Sequence, residues 1–372
     1  MGEQTANHPR TPPEAEPLFP ILQPEPISGL ARLAAEATHL HDGHQIEFRA
    51  MQARSILNRS VSRRQLSLAY SINPYRGCEF GCRYCYARYT HGFLAPKTPV
   101  DVPSPEAPDL QNPESFERLI FLKQNAAWLL EQELRRIDPA QEIALGTATD
   151  PYQPAERTAL ITRSLLEVFA RRSGYRLGIV TKSKLILRDV DLLARIASTN
   201  RLVVHLTITT PDAALARLLE PRAPRPDLRF DAVRQLRAAG LTTGILCSPL
   251  LPGITDSEAS IDRMAELAAQ VDASFLAAEP LFLKSCSRPT FLSFVREHFP
   301  ALLPDYEARF ATRDFADQPY RTRLAQSVRK ACRRHGVPQR STDALLTRDA
   351  GSSRRPPASA QAPRQGLLFT SA

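Results

Sequence analysis

Between about residue 68 and residue 300, short apolar runs alternate with amphipathic stretches. Six runs end in polar or turn residues and read as strands: Leu68–Asn73, Glu142–Thr147, Arg176–Thr181, Leu202–Thr207, Leu241–Cys247 and Ala273–Ala278. Between them, helical patterning covers about Asn125–Arg136, Ala155–Arg172, Arg188–Ala197, Leu228–Ala239 and Asp256–Gln270, with another helix from Thr290. A short extra strand, Arg118–Leu122, precedes the first of these helices. Six strand–helix units in series predict an α/β fold with parallel strands. A full barrel takes eight such units, so the pattern predicts a partial (β/α)6 TIM-like barrel. No repeat period is present.

The flanks are different. Residues 1–28 and about 342–372 are rich in Pro, Ala, Ser or Arg and poor in patterned apolar positions, which predicts disordered N- and C-terminal tails. The Pro-rich run 96–114 reads as a surface loop. The organisation expected is an acidic tail (1–28), an extension packing on the barrel (29–66), the barrel (67–300), a basic helical segment (301–341) and a second tail (342–372). No run of 18 apolar residues exists, so no membrane span is expected. The N-terminus lacks the apolar segment of a secretory signal. Six cysteines, three of them clustered, are not a disulfide framework and suit a reducing cytoplasm.

Charge adds a local feature. The net charge is +9, and 42 of the 48 basic residues are Arg, as a codon bias would also produce. The excess is concentrated: residues 321–340 carry seven Lys and Arg and no acid, whereas residues 1–50 carry three Arg against seven acids. Leu324, Val328 and Cys332 recur at i, i+4 and i+8, which predicts a helix with one buried stripe and a basic outer face. Such a face suits a polyanion such as nucleic acid, or is simply solvated.

In parallel α/β folds the chemistry gathers beyond the C-terminal ends of the strands. The unusual residues of this chain fall there. NPYRGCEFGCRYCYAR after the first strand holds Cys78, Cys82 and Cys85 at C-x3-C-x2-C spacing. Thr149 and Asp150 follow the second strand, Lys182 the third, Thr207 and Thr209 the fourth, and Glu279 the sixth. Three close thiolates suit a structural zinc ion with His91 as fourth ligand. They suit better an iron–sulfur cluster with one iron left open.

The C-x3-C-x2-C spacing after a first strand, Tyr84 before the last cysteine and the six βα units resemble the radical S-adenosylmethionine (radical SAM) superfamily. The resemblance implies a [4Fe-4S] cluster on Cys78, Cys82 and Cys85, with the cofactor S-adenosyl-L-methionine on the fourth iron. It also implies a 5′-deoxyadenosyl radical that takes a hydrogen atom from substrate. Residues 54–300 are similar to the branch around spore photoproduct lyase, a DNA-repair enzyme, and its uncharacterised bacterial relatives. RSILN (54–58) and the cysteine segment look like those relatives, Thr147 to Asp150 like the lyase's Cys-Thr-Ser-Asp, Thr181-Lys182 like its Thr-Lys, and Glu220 to Arg229 like its Glu-Pro-x-x-Pro…Arg. The resemblance implies that Tyr84, Thr149, Lys182 and Thr207 form the S-adenosylmethionine site.

Thr147 departs from the lyase, which has there a cysteine that returns a hydrogen atom to the product radical. A hydroxyl O–H bond is too strong for that task. Cys247, at the end of the fifth strand, is the candidate replacement if it faces the barrel interior, against the plainer role of a core cysteine. Asp150 and Glu156 read as a rim ion pair or as helix N-terminal charges, and Glu220 and Arg229 as a pin for the fourth loop or as cofactor contacts. Cys286 and Cys332 have no assigned role. The final RQGLLFTSA resembles, at Gln365, Leu367, Leu368 and Phe369, the Gln-Leu-x-Leu-Phe peptides that dock on the DNA sliding clamp, with Gly366 departing. The reading expected is a cytoplasmic radical SAM enzyme acting on nucleic acid, reduced by a flavodoxin or ferredoxin. A radical SAM enzyme of a peptide or small molecule, and a non-catalytic Fe–S or zinc protein that binds nucleic acid, stand beside it.

Overall fold

The computed structural model describes residues 29–30, 32, 38–40, 46–59, 69–94 and 109–338. Both expected tails, most of the Pro-rich loop and the docking peptide lie outside the described residues.

Among the described residues, eleven strands form two sheets. The larger contains β3 (Leu57–Arg59), β4 (Tyr70–Ile72), β7 (Glu142–Leu145), β8 (Arg176–Thr181), β9 (Arg201–Thr207), β10 (Thr243–Leu250) and β11 (Leu276–Pro280), in the order β11-β10-β9-β8-β7-β4-β3. From β4 to β11 every pairing is parallel, and only the edge strand β3 runs antiparallel. These six parallel strands are the six read from the sequence, and they make the partial barrel.

Alternation along each strand separates two layers. Ile143, Leu177 and Leu202 lie side by side in register and join Ile179, Val204, Leu206 and Ile245 in the large core shared with the helices. The residues between them turn inward, where Ala144, Val203 and Phe275 form a small cluster with Val180 and Ala277. The helices of the outer layer are α1 (Ala126–Glu133), α2 (Ile161–Ala170), α3 (Val190–Thr199), α4 (Ala213–Leu219), α5 (Pro226–Ala238) and α6 (Glu258–Gln270). Helix α4 was not anticipated; Asp212 caps it by accepting from the amides of Ala214 and Leu215.

One expectation is corrected. The helix read as continuous over Ala155–Arg172 breaks at Leu160, which sits at φ 53°. The buried Glu156 carboxylate explains the break: it accepts from the amides of Thr162 (2.7 Å) and Arg163 (3.1 Å) and so caps the start of α2. The extra strand expected before the first helix is present as β6 (Leu119–Lys123), outside the barrel sheet. It pairs with β2 (Glu47–Met51) and β5 (Tyr75–Arg76) in a second sheet of order β1-β2-β6-β5, whose first member is β1 (Thr38–Leu40).

Beyond β11 come α7 (Arg288–His298), α8 (Leu303–Phe310) and α9 (Gln318–Arg334). Asp317 caps α9, and the helix packs on α6 and β11 through the stripe read from the sequence, with Leu324 and Cys332 buried and Val328 partly so. Arg323, Arg329, Lys330, Arg333 and Arg334 are exposed on its outer face.

Candidate active site

The cysteine loop turns sharply where β5 ends. Gly77 and Gly81 hold φ of 86° and 62°, where side chains are disfavoured. Space is also lacking: a Cβ at Gly77 would lie 2.6 Å from the Leu119 carbonyl, and one at Gly81 2.5 Å from the Glu117 carboxylate. The loop backbone is braced from distant segments. Gln153 Oε1 accepts from the Glu79 amide (2.9 Å), and Gln153 Nε2 donates to the Gly77 carbonyl (3.2 Å). Glu79 accepts from the Ala155 amide at 2.6 Å, and Arg222 Nε donates to the Glu79 carbonyl. Arg88, fully buried, donates to the Cys82 carbonyl (3.1 Å) and pairs with Glu117 (3.1 Å). Ser287 donates to the Cys85 carbonyl at 2.7 Å.

Cys78 and Cys82 are buried and Cys85 half-buried, against Phe80, Phe116, Leu219 and Phe291. Burial pushes all three thiols up, Cys82 to about 12, with the Lys182 ammonium opposing the shift at Cys82. Thiolates in such surroundings form on binding a cation that displaces their protons. Among the described residues, His91 belongs to no group of three His, Cys, Asp or Glu side chains placed to hold a metal. Its Nε2 bonds the Leu119 carbonyl at 2.8 Å, its ring sits between Phe116 and Phe121, and burial lowers its pKa to about 4. The expected His91 ligand to a closed zinc site is therefore not grouped with the loop among the described residues, and the loop itself offers three free thiols.

Above the loop, the ends of β4, β7 and β8 are stitched together. Asn73 Oδ1 accepts from the amides of Ala148 (2.8 Å) and Thr149 (3.2 Å). Asp150 accepts from Thr181 Oγ1 (2.6 Å) and from the Lys182 amide (2.7 Å), so its work is structural. Burial raises the Asp150 carboxyl against these hydrogen bonds. Burial alone would lower the Lys182 ammonium; the nearby Cys82, Glu220 and Asp150 outweigh it and hold it above its usual value. Lys182 Nζ lies 5.9 Å from the centre of the Tyr84 ring. Thr149 Oγ1 is buried and has no hydrogen-bond partner among the described residues. A buried hydroxyl left unsatisfied is costly, and a polar ligand would relieve it.

Behind the cysteines lies a buried polar network. Glu220 and Arg229 pair at 2.5 Å with side chains 1% exposed each. The Tyr84 hydroxyl donates to Glu220 and meets Thr209 Oγ1 at 2.9 Å, while Arg229 donates to the Thr207 carbonyl at 3.1 Å. Glu220 and Arg229 thus pin the fourth loop, and Tyr84 is anchored by its hydroxyl beside the last cysteine. Thr207 alternates inward at the end of β9 and is buried.

The proposed inward position of Cys247 is corrected. It belongs to the helix-facing core with Ile245 and Cys332, and its Sγ lies 3.7 Å from the Thr209 carbonyl. Half-buried Leu246 and Ser248 take the inward positions on β10. The side chains brought together at one rim are therefore Cys78, Cys82, Cys85, Tyr84, Thr149, Lys182 and Thr207.

The model of the radical SAM superfamily matches residues 72–265, which hold all of these residues. The chain belongs to the radical SAM superfamily. Its cofactors are a [4Fe-4S] cluster and S-adenosylmethionine. When bound, they supply one-electron cleavage of a C–S bond, giving a carbon radical able to abstract a hydrogen atom. The residues present fit them. Three thiols offer iron ligands, Lys182 offers a cation to the methionine carboxylate, and Thr149 offers an unsatisfied hydroxyl.

The chain is 31% identical over 284 residues to an uncharacterised protein of Mycobacterium tuberculosis, covering 76% of this chain and 79% of that one. It is 29% identical over 189 residues to an uncharacterised protein of Methanocaldococcus jannaschii, covering 51% and 63%. A cysteine-to-serine variant of spore photoproduct lyase superposes with a TM-score of 0.55 at 17% identity, covering 77% of this chain and 79% of that one. A double variant of the lyase, solved with AdoMet and a dinucleoside spore photoproduct, gives 0.52 at 14% identity with the same coverage. At such identities the shared property is the fold.

The sequence reading missed the braces Glu79, Arg88, Gln153, Arg222 and Ser287. Glu79 and Arg88 lie inside the cysteine segment and were within reach of inspection; Gln153, Arg222 and Ser287 come from remote segments with no local signal. For the cofactor site, Lys182→Ala is expected to weaken S-adenosylmethionine binding about tenfold or more, as loss of a charge-assisted hydrogen bond does. Thr149→Ala should weaken it less. Iron content should stay at the parent's level in both. Equilibrium dialysis of the reconstituted protein reads the first quantity and metal analysis the second. Unchanged binding in Lys182→Ala would remove the residue from the site.

Proposed function

We propose that this radical SAM enzyme acts on nucleic acid, by abstraction of a hydrogen atom from the substrate. The observation that carries this reading is the outer face of α9. Arg334 is drawn to Asp262 at 2.6 Å, while Arg323, Arg329, Lys330 and Arg333 point to solvent in a segment without acids. Lys and Arg grouped on one face neutralise phosphates and release their counterions. The fold supports the reading in a second way, since lyase structures of this fold hold a dinucleoside lesion. The lyase's own reaction is not carried over, because Thr147 stands where the lyase has its hydrogen-donating cysteine and Cys247 faces the helices. A cytoplasmic flavodoxin or ferredoxin serves as the electron source in this reading.

The test combines turnover and binding. Anaerobic, reduced protein should form 5′-deoxyadenosine faster with DNA or RNA present than without. Neutralising Arg329, Lys330 and Arg333 to Gln should lower affinity and flatten the dependence of log K on log salt, by about 0.9 for each duplex phosphate that is no longer neutralised. Equal turnover with and without nucleic acid, together with an unchanged salt slope, would leave α9 a solvated face and the reading unsupported.

A further inference from the structure

A strip of aromatic rings and cations crosses the surface beside the cysteine loop, and the site described above does not use it. It starts in the helical turns Tyr86–Leu94, directly after Cys85. Phe93 is 56% exposed and meets the ring of Tyr89, itself 36% exposed, edge-on at 5.6 Å. Lys284 Nζ sits over the Tyr89 ring at 4.2 Å and lies 5.9 Å from the centre of Phe282. Phe282 stacks on Phe315 at 4.4 Å with the planes 23° apart, and the Arg321 guanidinium lies 5.7 Å from Phe315. Arg321 is in the first turn of α9, so the strip joins the cysteine loop to the basic face.

The composition of this strip selects among occupants. Wet aromatic faces gain when something flat or apolar covers them. An apolar protein surface would strip water from Lys284 and Arg321 without replacing it, at a cost. A duplex offers phosphates to the cations but keeps its base faces stacked internally. An unpaired strand offers both: π faces for the rings and phosphates for the cations, in alternation along one path. Tyr86 ties the middle of this path to the rim of the site, since its hydroxyl donates to the carbonyl of Thr147 just beyond β7 and its ring lies 5.8 Å from Phe282.

We propose that Phe93, Tyr89, Phe282 and Phe315, with Lys284 and Arg321, form a stacking platform for unpaired nucleobases. The enzyme takes its substrate as a single strand or a locally opened one, with α9 holding the phosphates that follow. This inference rests on the nucleic-acid reading above and names the form of the substrate.

The experiment compares a fluorescein-labelled single-stranded 20-mer with its duplex, by anisotropy, on the full-length reconstituted protein kept anaerobic. The same single strand with 2-aminopurine at successive positions reports stacking by quenching. The parent should bind the single strand more tightly and quench a subset of positions. Tyr89→Ala combined with Phe93→Ala should weaken single-strand binding by about tenfold or more and abolish the quenching. Its duplex affinity and salt slope should stay at the parent's values, because every cation that meets a phosphate is kept. Both side chains are exposed, and Tyr89→Phe, which keeps the ring, should behave as the parent. No single-strand preference in the parent, or an equal loss for both ligands in the double variant, overturns the platform while nucleic-acid binding stands. No binding of either ligand overturns the nucleic-acid reading itself.

Discussion

Replacing Cys82 by Ala will give a folded protein that takes up almost no iron and forms no 5′-deoxyadenosine. Anaerobic reconstitution followed by iron and sulfide analysis and the visible absorption of the cluster is the measurement. The effect is large because the cluster's ligands come from this loop alone: among the described residues no group of three His, Cys, Asp or Glu side chains stands ready to hold a metal, so no neighbouring set can replace a lost thiol. The fold survives because the loop is braced through its backbone, by Gln153, Arg88, Arg222 and Ser287, rather than through the thiols. Cys78→Ala and Cys85→Ala should behave alike. Cys247→Ala is the contrast: facing the helices, it should keep full iron and lose only the stability of one small core side chain. Stoichiometric iron in any of the three loop variants would remove that cysteine from the cluster.

Arg229→Leu will destabilise the protein by about 3–5 kcal/mol, the usual cost of leaving one member of a buried ion pair uncompensated. Glu220 would keep its charge at a site where its side chain is 1% exposed. Burial raises the Glu220 carboxyl, but Arg229 first and then Lys182 outweigh it and hold it below its usual range. Urea unfolding followed by circular dichroism measures the loss. The pair Glu220→Gln with Arg229→Leu should recover much of it, because the unpaired charge is gone. Cofactor binding should suffer in Arg229→Leu as well, since Tyr84 and Thr209 both hang from Glu220. A loss below about 1 kcal/mol would mean that solvent reaches the pair.

The six parallel strands, the cysteine spacing and the rim on which Thr149, Lys182 and Thr207 gather were all legible in the chain. They rest on local properties. A strand shows its apolar run, a metal loop its residue spacing, and in a parallel sheet strand direction alone assigns the ends to one rim. The charged face of α9 was legible for the same reason, through its three apolar positions at helical spacing. Tertiary structure decided what depends on partners far along the chain. β6 reads as a strand from its own residues, but its place in a second sheet is set by pairing with β2 and β5. The bond between Ser287 and the Cys85 carbonyl spans 202 residues, and Gln153 reaches Gly77 across 76. Cys247 turned on a single step of strand register: with a period of two, the apolar run fixes that β10 exists, while only its packing against α9 tells which of Cys247 and Ser248 meets the helices. The aromatic strip beside the cysteines likewise joins residues 89 and 93 to 282, 284, 315 and 321, positions that only the folded chain brings side by side.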